Sequence, residues 1–402
     1  MGRRAERAGE DGPRIERVGT LWRLRSLEAG RQVLRARHQT TQAGFTAEYI
    51  PQGRLEHRPI LISDGPTHDE QRSKVARFFA QAVVEERYGA QILACAQRRL
   101  DEVSGPFDLD ELSLYYTVEV TAEIVGLTHD RPGDTPASRE RRIRAMSRRL
   151  VAFFDQPPFD LSRDDLGRSG RQWALAARKG LAPILGFYLA DVRPALRQRR
   201  AHPRDDVMSH LIQQGYSTTN LLIEAVTYGT AGMVTTREFI AMAAWYLLTT
   251  PDLAQRYREA EQAERLAILG EIIRIEPVVG HLYRRVTETI TVTDGDGEHV
   301  LAAGDLVDID VRAANADADA ITDPMGLCPH RELPSGVRST VLTFGDGAHR
   351  CPGEPLALFE ADVLLTRLLA RNPRLIGEPT LTWDDLVSGY ELRGLRIELE
   401  DA

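Results

Sequence analysis

The segment from residue 341 to 360, VLTFGDGAHRCPGEPLALFE, constrains this chain more than any other. Cys351 stands directly before Pro352, and the residues that follow have the apolar spacing of a helix. Proline is tolerated in the first turn of a helix, because the N–H group that it lacks has no partner there. The segment therefore predicts a helix that begins just after Cys351, with free backbone N–H groups and the positive end of the helix dipole near the sulfur.

These surroundings favour the thiolate form of Cys351. The glycines at 345, 347 and 353 permit backbone conformations and close approaches that a side chain would block. A single thiolate on a stiff turn, facing a flat or bulky group, is typical of an axial ligand to haem iron. The alternative is a glycine-rich turn that carries a structural, buried cysteine.

The spacing of apolar residues predicts a chain that is mostly helical. From about residue 70 to 276 they recur at three and four positions, and the longest such pattern, 218–248, stops before Pro251. Between 290 and 311 the pattern changes to alternation around Gly-Asp turns, which predicts short strands. Helical spacing returns in LALFEADVLLTRLLARN, so the fold class is mainly α with small β-sheets.

Length and charge limit the kinds of protein that this chain can be. No low-complexity linker interrupts its 402 residues, so we expect one domain over residues 14–402 after a disordered leader over residues 1–13. The net charge of −8 disfavours a general affinity for nucleic acid or anionic membranes. No run of about 18 apolar residues occurs, so no membrane span is expected. The three cysteines lack metal-site spacing and fit a cytoplasmic location.

The string FGDGAHRCPG resembles the cysteine-loop signature of the cytochrome P450 family. Every fixed position of the signature is filled, by Phe344, Gly345, Gly347, His349, Cys351 and Gly353. The resemblance implies the P450 fold, in which haem b lies between a long central helix and the helix after the cysteine loop. It implies that Cys351 is the axial ligand of the iron, and that the cofactor also contacts Phe344, Gly345, His349 and Gly353.

Two further segments resemble the family and lie in its order along the chain. EIIR places Glu271 and Arg274 on one helical face, where the resemblance implies a buried structural pair with an arginine of the later loop. SDGPTHDEQR places His68 and Arg72 on one face, and the resemblance assigns them, with Arg284, to the haem propionates. Arg285 adjoins Arg284, and the sequence allows the two to exchange roles. Taken singly, each pair also fits an ordinary exposed helix face.

A third segment, AGMVTT, lies in the middle of the longest predicted helix. The resemblance implies that Ala231 and Gly232 let this helix pass close over the haem, and that Thr235 bends it with a hydroxyl near bound oxygen. Most relatives carry Asp or Glu before this threonine, whereas this chain has Val234. Valine cannot pass a proton, so we expect protons to travel through Thr235, Thr236 and water, or through a group on the substrate.

The resemblance implies a monooxygenase that inserts one oxygen atom of O2 into a medium-sized organic substrate, expected to belong to secondary metabolism. Because of Val234, two alternatives stay open. One is a P450-type enzyme that performs oxidative coupling, peroxide-driven oxidation or a rearrangement. The other is a non-catalytic thiolate-haem sensor or binding protein.

The expected substrate pocket combines apolar groups with hydroxyls, as is common for organic ligands with some polar groups. Its predicted residues are Thr227, Thr230, Val234, Val278, Val279 and Tyr390. The chain carries no flavin or nicotinamide fingerprint, so the resemblance implies an external ferredoxin and ferredoxin reductase as electron donors. Lys74, Arg77 and Arg350 are expected to form a basic docking patch for the ferredoxin.

Overall fold

A computed structural model describes residues 2–7, 10–44, 58–154, 169–295, 297–384 and 388–400. Its helices in these ranges are α1 (Leu27–Arg35), α2 (Gly65–Val75), α3 (Gln81–Val83), α4 (Gly89–Asp101), α5 (Leu109–Val125), α6 (Pro136–Phe154), α7 (Gly170–Phe187), α8 (Arg193–Ala201), α9 (Val207–Gln213), α10 (Thr218–Tyr228), α11 (Thr235–Thr249), α12 (Pro251–Glu259), α13 (Gln262–Ile275), α14 (Val311–Ala314) and α15 (Glu354–Leu369). Its strands there are β1 (Ile15–Val18), β2 (Leu21–Leu24), β3 (Thr40–Ala43), β4 (Phe107–Asp108), β5 (His281–Val286), β6 (Ile290–Asp294), β7 (Gly297–Leu301), β8 (Leu306–Asp310), β9 (Pro373–Leu375), β10 (Thr380–Asp384), β11 (Gly389–Arg393) and β12 (Arg396–Leu399).

The mainly helical fold class is confirmed, and the longest predicted helix is present in an interrupted form. α10 and α11 are joined by a π-helical turn over Gly229–Val234. Such turns insert an extra residue into the helix and occur often at functional sites. α11 ends at Thr249, and Pro251 opens the next helix, as the sequence predicts.

The strands form small sheets beside the helices. The largest has the order β1-β2-β8-β5-β3, in which only β2 and β8 are parallel. The alternating segment predicted to form strands contains the β6–β7 hairpin, with Ile290 opposite Leu301, followed by β8. The remaining sheets pair β10 with β11 and β4 with β12 and β9.

Two hydrophobic cores hold the fold together. The larger one lies among the helices and includes buried residues of α4, α5, α11, α13 and α15. The smaller one packs α1 against the five-stranded sheet. In the described ranges, every helix is too short or too polar to cross a bilayer.

The described residues before β1 lie against the domain. Ala5 is fully buried, and the guanidinium of Arg4 lies over the ring of Trp245, 4.6 Å from its centroid. These contacts correct the expectation of disorder over residues 1–13 for the described part of that segment. Basic side chains there find aromatic and carbonyl partners on the domain, which the composition alone did not reveal. The boundary of the domain at residue 14 stays a prediction.

Candidate functional site

The cysteine loop is closed by a backbone hydrogen bond on the N-terminal side of α15. The N–H of Cys351 donates to the backbone oxygen of Phe344 at 2.8 Å. The helix begins at Glu354, with Gly353 as its N-cap residue. The predicted start of the helix, after Pro352, is therefore confirmed; the proline in its first turn is Pro355, whereas Pro352 belongs to the preceding turn.

Two glycines of the loop are required by its geometry. Gly345 and Gly347 have φ angles of +72° and +68°, which L side chains rarely adopt. A Cβ atom on Gly347 would also lie only 2.4 Å from the backbone oxygen of Leu34. The loop can therefore pass this close to the end of α1 only with glycine at position 347.

Opposing effects act on the pKa of the Cys351 thiol. Desolvation by the surrounding protein raises its pKa, while the Gly353 N–H and the charges of Arg72 and Arg350 lower it. The net shift is upward, which differs from the thiolate expected from the helix start alone. The residue nevertheless retains exposed surface, so its sulfur is accessible to a ligand.

A cluster of cationic and imidazole groups lies beside the cysteine loop. The rings of His68 and His349 are 4.0 Å apart, and Nε2 of His349 lies 3.2 Å from Oδ1 of Asp64. These three residues line one small pocket together with Arg284. Burial lowers the pKa of His68 to about 4, with the neighbouring His349 adding to the effect. Burial likewise lowers the pKa of Arg284, to about 10.

The two arginines beside the cysteine loop bond to backbone oxygens. Arg284 is 5% exposed, and among the described residues its guanidinium donates to the backbone oxygen of Tyr283, with the charge of Asp64 nearby. Arg72 donates to the backbone oxygen of Arg350, and neither arginine is ion-paired with a carboxylate among the residues that the structure describes. A buried cation is normally paired, so this donor set points to an anionic ligand. It fits the two propionates of haem.

The structure separates the roles of the two adjacent arginines of β5. Neighbouring side chains of a strand point to opposite faces. Arg284 lines the pocket with His68 and His349, whereas Arg285 donates to the backbone oxygen of Gly304 at 3.1 Å. The assignment of Arg284 rather than Arg285 to the cofactor is therefore the one that the geometry favours.

The predicted pair on α13 is buried and is joined by a third residue. Nε and Nη2 of Arg274 donate to the two carboxylate oxygens of Glu271 at 2.7 and 2.9 Å. Nη2 of Arg331 donates to the same carboxylate at 3.1 Å. Bidentate, charge-assisted bonds of this kind hold side chains in one geometry. Arg331 is thus the loop arginine that the resemblance implied without locating.

This triad is connected to the cysteine loop by Asn315. Nη1 of Arg274 donates to the backbone oxygen of Asn315 at 2.8 Å. The side chain of Asn315 accepts from the N–H of Leu342 and donates to Oγ1 of Thr343, both at 2.8 Å. The hydroxyl of Thr343 donates in turn to the backbone oxygen of Ile273. The end of α13 therefore fixes the backbone just before Phe344.

The π-helical turn spreads the AGMVTT residues over different faces. Ala231 is exposed, and the hydroxyl of Thr235 donates to the backbone oxygen of Ala231 at 2.6 Å. A Cβ atom on Gly232 would instead meet the side chain of Thr121 on α5, 3.6 Å away. Thr236 is buried and donates to the backbone oxygen of Gly232 at 2.8 Å.

The assignments of Ala231 and Gly232 to the haem, and of Thr235 and Thr236 to proton transfer, stay predictions, and the geometry places the members of each pair on different faces. Gly232 allows close packing between the central helix and α5. Its Cβ position faces α5, whereas Ala231 lies on an exposed face of the central helix. Consecutive helical residues point about 100° apart, so the two cannot share a face. The same holds for Thr235 and Thr236, and the half-buried Thr235 is the better placed for contact with a ligand.

Among the described residues, no carboxyl group is placed to deliver protons beside Thr235. Val234 is 8% exposed and apolar. The carboxylate of Glu238, one turn further on, accepts from the N–H of Leu392 at 2.9 Å and from Nη1 of Arg393 at 2.8 Å. It is therefore committed to holding α11 against β11.

The predicted pocket residues differ in accessibility. Thr227, Thr230 and Val279 are partly exposed, and both threonine hydroxyls donate to backbone oxygens one turn earlier in the helix. Val278 is 6% exposed and Tyr390 only 1%. The hydroxyl of Tyr390 lies 3.4 Å from the backbone oxygen of Glu276, so this ring belongs to the interior behind any pocket wall, which corrects its assignment.

Three residues with clear roles were not located from the sequence. Arg331 and Asn315 lie in the loop after β8, where the sequence departs from the usual family pattern. Asp64 was passed over although it begins the segment that contains His68. A polar residue directly before a helix is a capping signal, which could have singled out Asp64.

The family model for cytochrome P450 matches residues 22–372 of the chain. The chain belongs to the cytochrome P450 family. Members of this family that resemble it by sequence are named as hydroxylases, epoxidases and oxygenases, so this P450 is a monooxygenase.

Among its relatives, this P450 is 28% identical over 377 residues to cyclomarin C epoxidase of Salinispora arenicola, covering 90% of this chain and 85% of that protein. It is 29% identical over 322 residues to erythromycin C-12 hydroxylase of Saccharopolyspora erythraea, covering 78% and 72%. The structure of CYP109E1 from Bacillus megaterium, solved with testosterone, superposes with a TM-score of 0.74 at 20% identity over 96% of each chain. That likeness confirms the P450 fold.

Proposed function

We propose that this P450 binds haem b through the Cys351 thiolate and inserts one oxygen atom of O2 into a medium-sized organic substrate of secondary metabolism. The observation that carries the proposal is an exposed Cys351 beside Arg72 and Arg284, neither of which is ion-paired with a carboxylate of the described residues. When bound, haem supplies the redox and oxygen chemistry. The names of the relatives, an epoxidase and hydroxylases among them, support the reaction class.

The protein's own residues would bind and orient the cofactor. Arg72, Arg284 and the two adjacent imidazoles of His68 and His349 would be donors for the propionates, and the Gly347 turn would hold the sulfur in place. The partly exposed side of the central helix, with Thr227, Thr230 and Thr235, would contact the substrate. Three hydroxyls on an otherwise apolar wall suit a substrate with a few polar groups.

The proposal is tested by product formation with isotopic oxygen. The purified protein is supplied with ferredoxin, ferredoxin reductase and NADPH, and offered hydroxylated organic compounds that perturb its haem absorption. Under 18O2 the product is expected to carry one heavy oxygen atom. A haem protein that binds these compounds but forms no product would be a binding protein, and heavy oxygen absent from the product would contradict monooxygenation.

A second reaction type is favoured because no carboxyl group of the described residues is placed to deliver protons beside Thr235. With Val234 in place of an acid and Glu238 held by Arg393, proton delivery through the described residues is poor. A peroxide-driven reaction would depend less on such delivery, because the peroxide brings both protons with it.

Val234→Asp tests which reaction type applies. If proton delivery limits monooxygenation, the variant is expected to form several-fold more product per NADPH consumed, because an acid adjoins Thr235. The matched control is Val234→Asn, because asparagine has the shape of aspartate but no acidic group. It should leave the ratio of product to NADPH unchanged. An unchanged ratio in both variants, with peroxide supporting full turnover of the unaltered protein, would favour the second reaction type.

The ferredoxin patch can be reassessed from the structure. Arg77 is 59% exposed at its side chain and lies 3.9 Å from the carboxylate of Asp205, whereas Lys74 is 21% exposed and paired with Glu70 at 2.7 Å, and Arg350 is bonded to Glu354. We therefore expect Arg77→Glu to slow reduction by ferredoxin more than Lys74→Glu does, by about tenfold at low salt. Stopped-flow reduction would measure this, with Arg374→Glu on β9 as control. Equal rates in all three variants would rule out the patch.

A further inference from the structure

Helix α7 carries a stripe of apolar side chains that no other described element covers. Leu181, Leu185 and Leu189 are 66%, 58% and 50% exposed. Their spacing of four places them on one face of α7 and of the π-helical turn over Tyr188–Val192 that follows it. We call these three residues the leucine stripe. Contiguous exposed apolar surface of this kind marks interaction sites more often than single exposed residues do.

A cleft rich in arginine lies between α6 and the same π-helical turn. Its volume is about 340 Å³. The residues that line it are Arg131, Ser138, Arg141, Arg142, Ala145, Arg149, Ala190 and Asp191. We call this feature the arginine cleft.

Two of the four arginines in the cleft are already neutralised. Arg142 donates to both carboxylate oxygens of Asp134 at 2.6 Å. Arg149 donates to Asp191 at 2.8 and 2.9 Å. The other two arginines are Arg131 and Arg141, and in the described ranges neither is paired with a carboxylate. Arg141 is exposed. The cleft is therefore a local cationic surface on a chain whose net charge is −8.

The cleft and the stripe lie on neighbouring faces of one helical segment. Cδ of Arg149 lies 3.2 Å from the position that a Cβ atom on Gly186 would occupy. Gly186 follows Leu185 directly, and Ala190, which lines the cleft, follows Leu189. Each exposed leucine of this end of the stripe thus adjoins a residue that touches or lines the cleft.

We propose that this surface docks an acidic helix of a protein partner. Carboxylates of the partner would lie in the arginine cleft against Arg131 and Arg141, and its apolar side chains would cover the leucine stripe. The stripe spans about 12 Å, the rise of eight residues of a helix, which suits a helical partner of two to three turns.

Charge and shape favour a protein over other anionic ligands. Nucleic acid has no apolar face to cover three leucines, and a small anion leaves the stripe exposed. An acidic amphipathic helix satisfies both halves of the surface at once.

The proposal is tested with a defined probe and the full-length holoenzyme. The probe is a fluorescein-labelled, 18-residue helical peptide with leucine on one face and glutamate on its flanks, followed by fluorescence anisotropy. We expect saturable binding that Arg141→Glu and Leu185→Gln each weaken by about tenfold and that added salt weakens further. Arg374→Glu and Val18→Gln, at exposed positions elsewhere, should bind like the unaltered protein.

Several results would overturn the proposal. Equal binding of a peptide with lysine in place of glutamate would remove the role of charge, and equal binding by the two docking variants would place the site elsewhere. A dimer of the unaltered protein that Leu185→Gln abolishes would assign the stripe to a second copy of this chain. Leucine-dependent co-sedimentation with phosphatidylglycerol vesicles would assign it to a membrane. Both substitutions lie on the surface, so haem content reports separately on the proposed function.

Discussion

Replacing Cys351 by alanine is expected to reduce monooxygenase turnover below detection while the protein stays folded. Cys351 carries the one thiol of the cysteine loop, and its removal would leave haem iron without the thiolate ligand proposed above. The backbone of the loop is held by the hydrogen bond from residue 351 to Phe344 and by the Asn315 contacts, which the substitution does not touch. Product formation, haem content and the thermal midpoint would be measured together.

The matched control is Cys328→Ala. Cys328 is also a free, exposed cysteine, but its described contact is a backbone N–H that donates to Glu271, which alanine retains. This variant should keep full turnover and haem content. Turnover that survives in Cys351→Ala, or is lost equally in Cys328→Ala, would contradict the assignment of the ligand.

Replacing Glu271 by alanine is expected to destabilise the fold by about 3–5 kcal/mol, because it leaves buried arginines unpaired. Arg274 is fully buried, and Arg331 loses its carboxylate partner at the same time and keeps only backbone acceptors among the described residues. The free energy of unfolding from urea denaturation would measure the loss. Because Arg274 holds Asn315, and Asn315 holds the start of the cysteine loop, haem content should fall as well.

Glu264→Ala provides the comparison on the same helix. Glu264 pairs with Arg256, whose side chain is 50% exposed, so we expect a loss of less than about 1 kcal/mol. A similar loss in both variants would mean that the Glu271 triad contributes no more than a surface ion pair. That result would contradict its role in fixing the loop.

The sequence predicted the fold and the order of the site segments because each depends on local patterns. Apolar spacing located the long helices, and alternation located the β6–β7 hairpin. The signature around Cys351 needs glycine where φ is positive or another backbone lies close, as at Gly347. Such requirements leave a direct trace in the residue types.

Features that depend on tertiary contacts left no such trace. The π-helical turn sets which face each residue of AGMVTT occupies, so Gly232 packs on α5 instead of lying beside Ala231. The partner of Glu271 on the later loop, Arg331, is 60 residues away in sequence. Likewise, the hydrogen-bond partners of the Glu238 carboxylate include residues of β11, a strand that begins about 150 residues later.

The measurement that tests the central claim most directly is the carbon monoxide difference spectrum of the dithionite-reduced protein, recorded beside Cys351→Ala. A thiolate-bound haem carbonyl gives a strongly red-shifted Soret band, and we predict this band for the unaltered protein and its absence from the variant. A carbonyl spectrum typical of histidine ligation, or a protein that takes up no haem, would contradict the assignment of Cys351 and the function proposed from it.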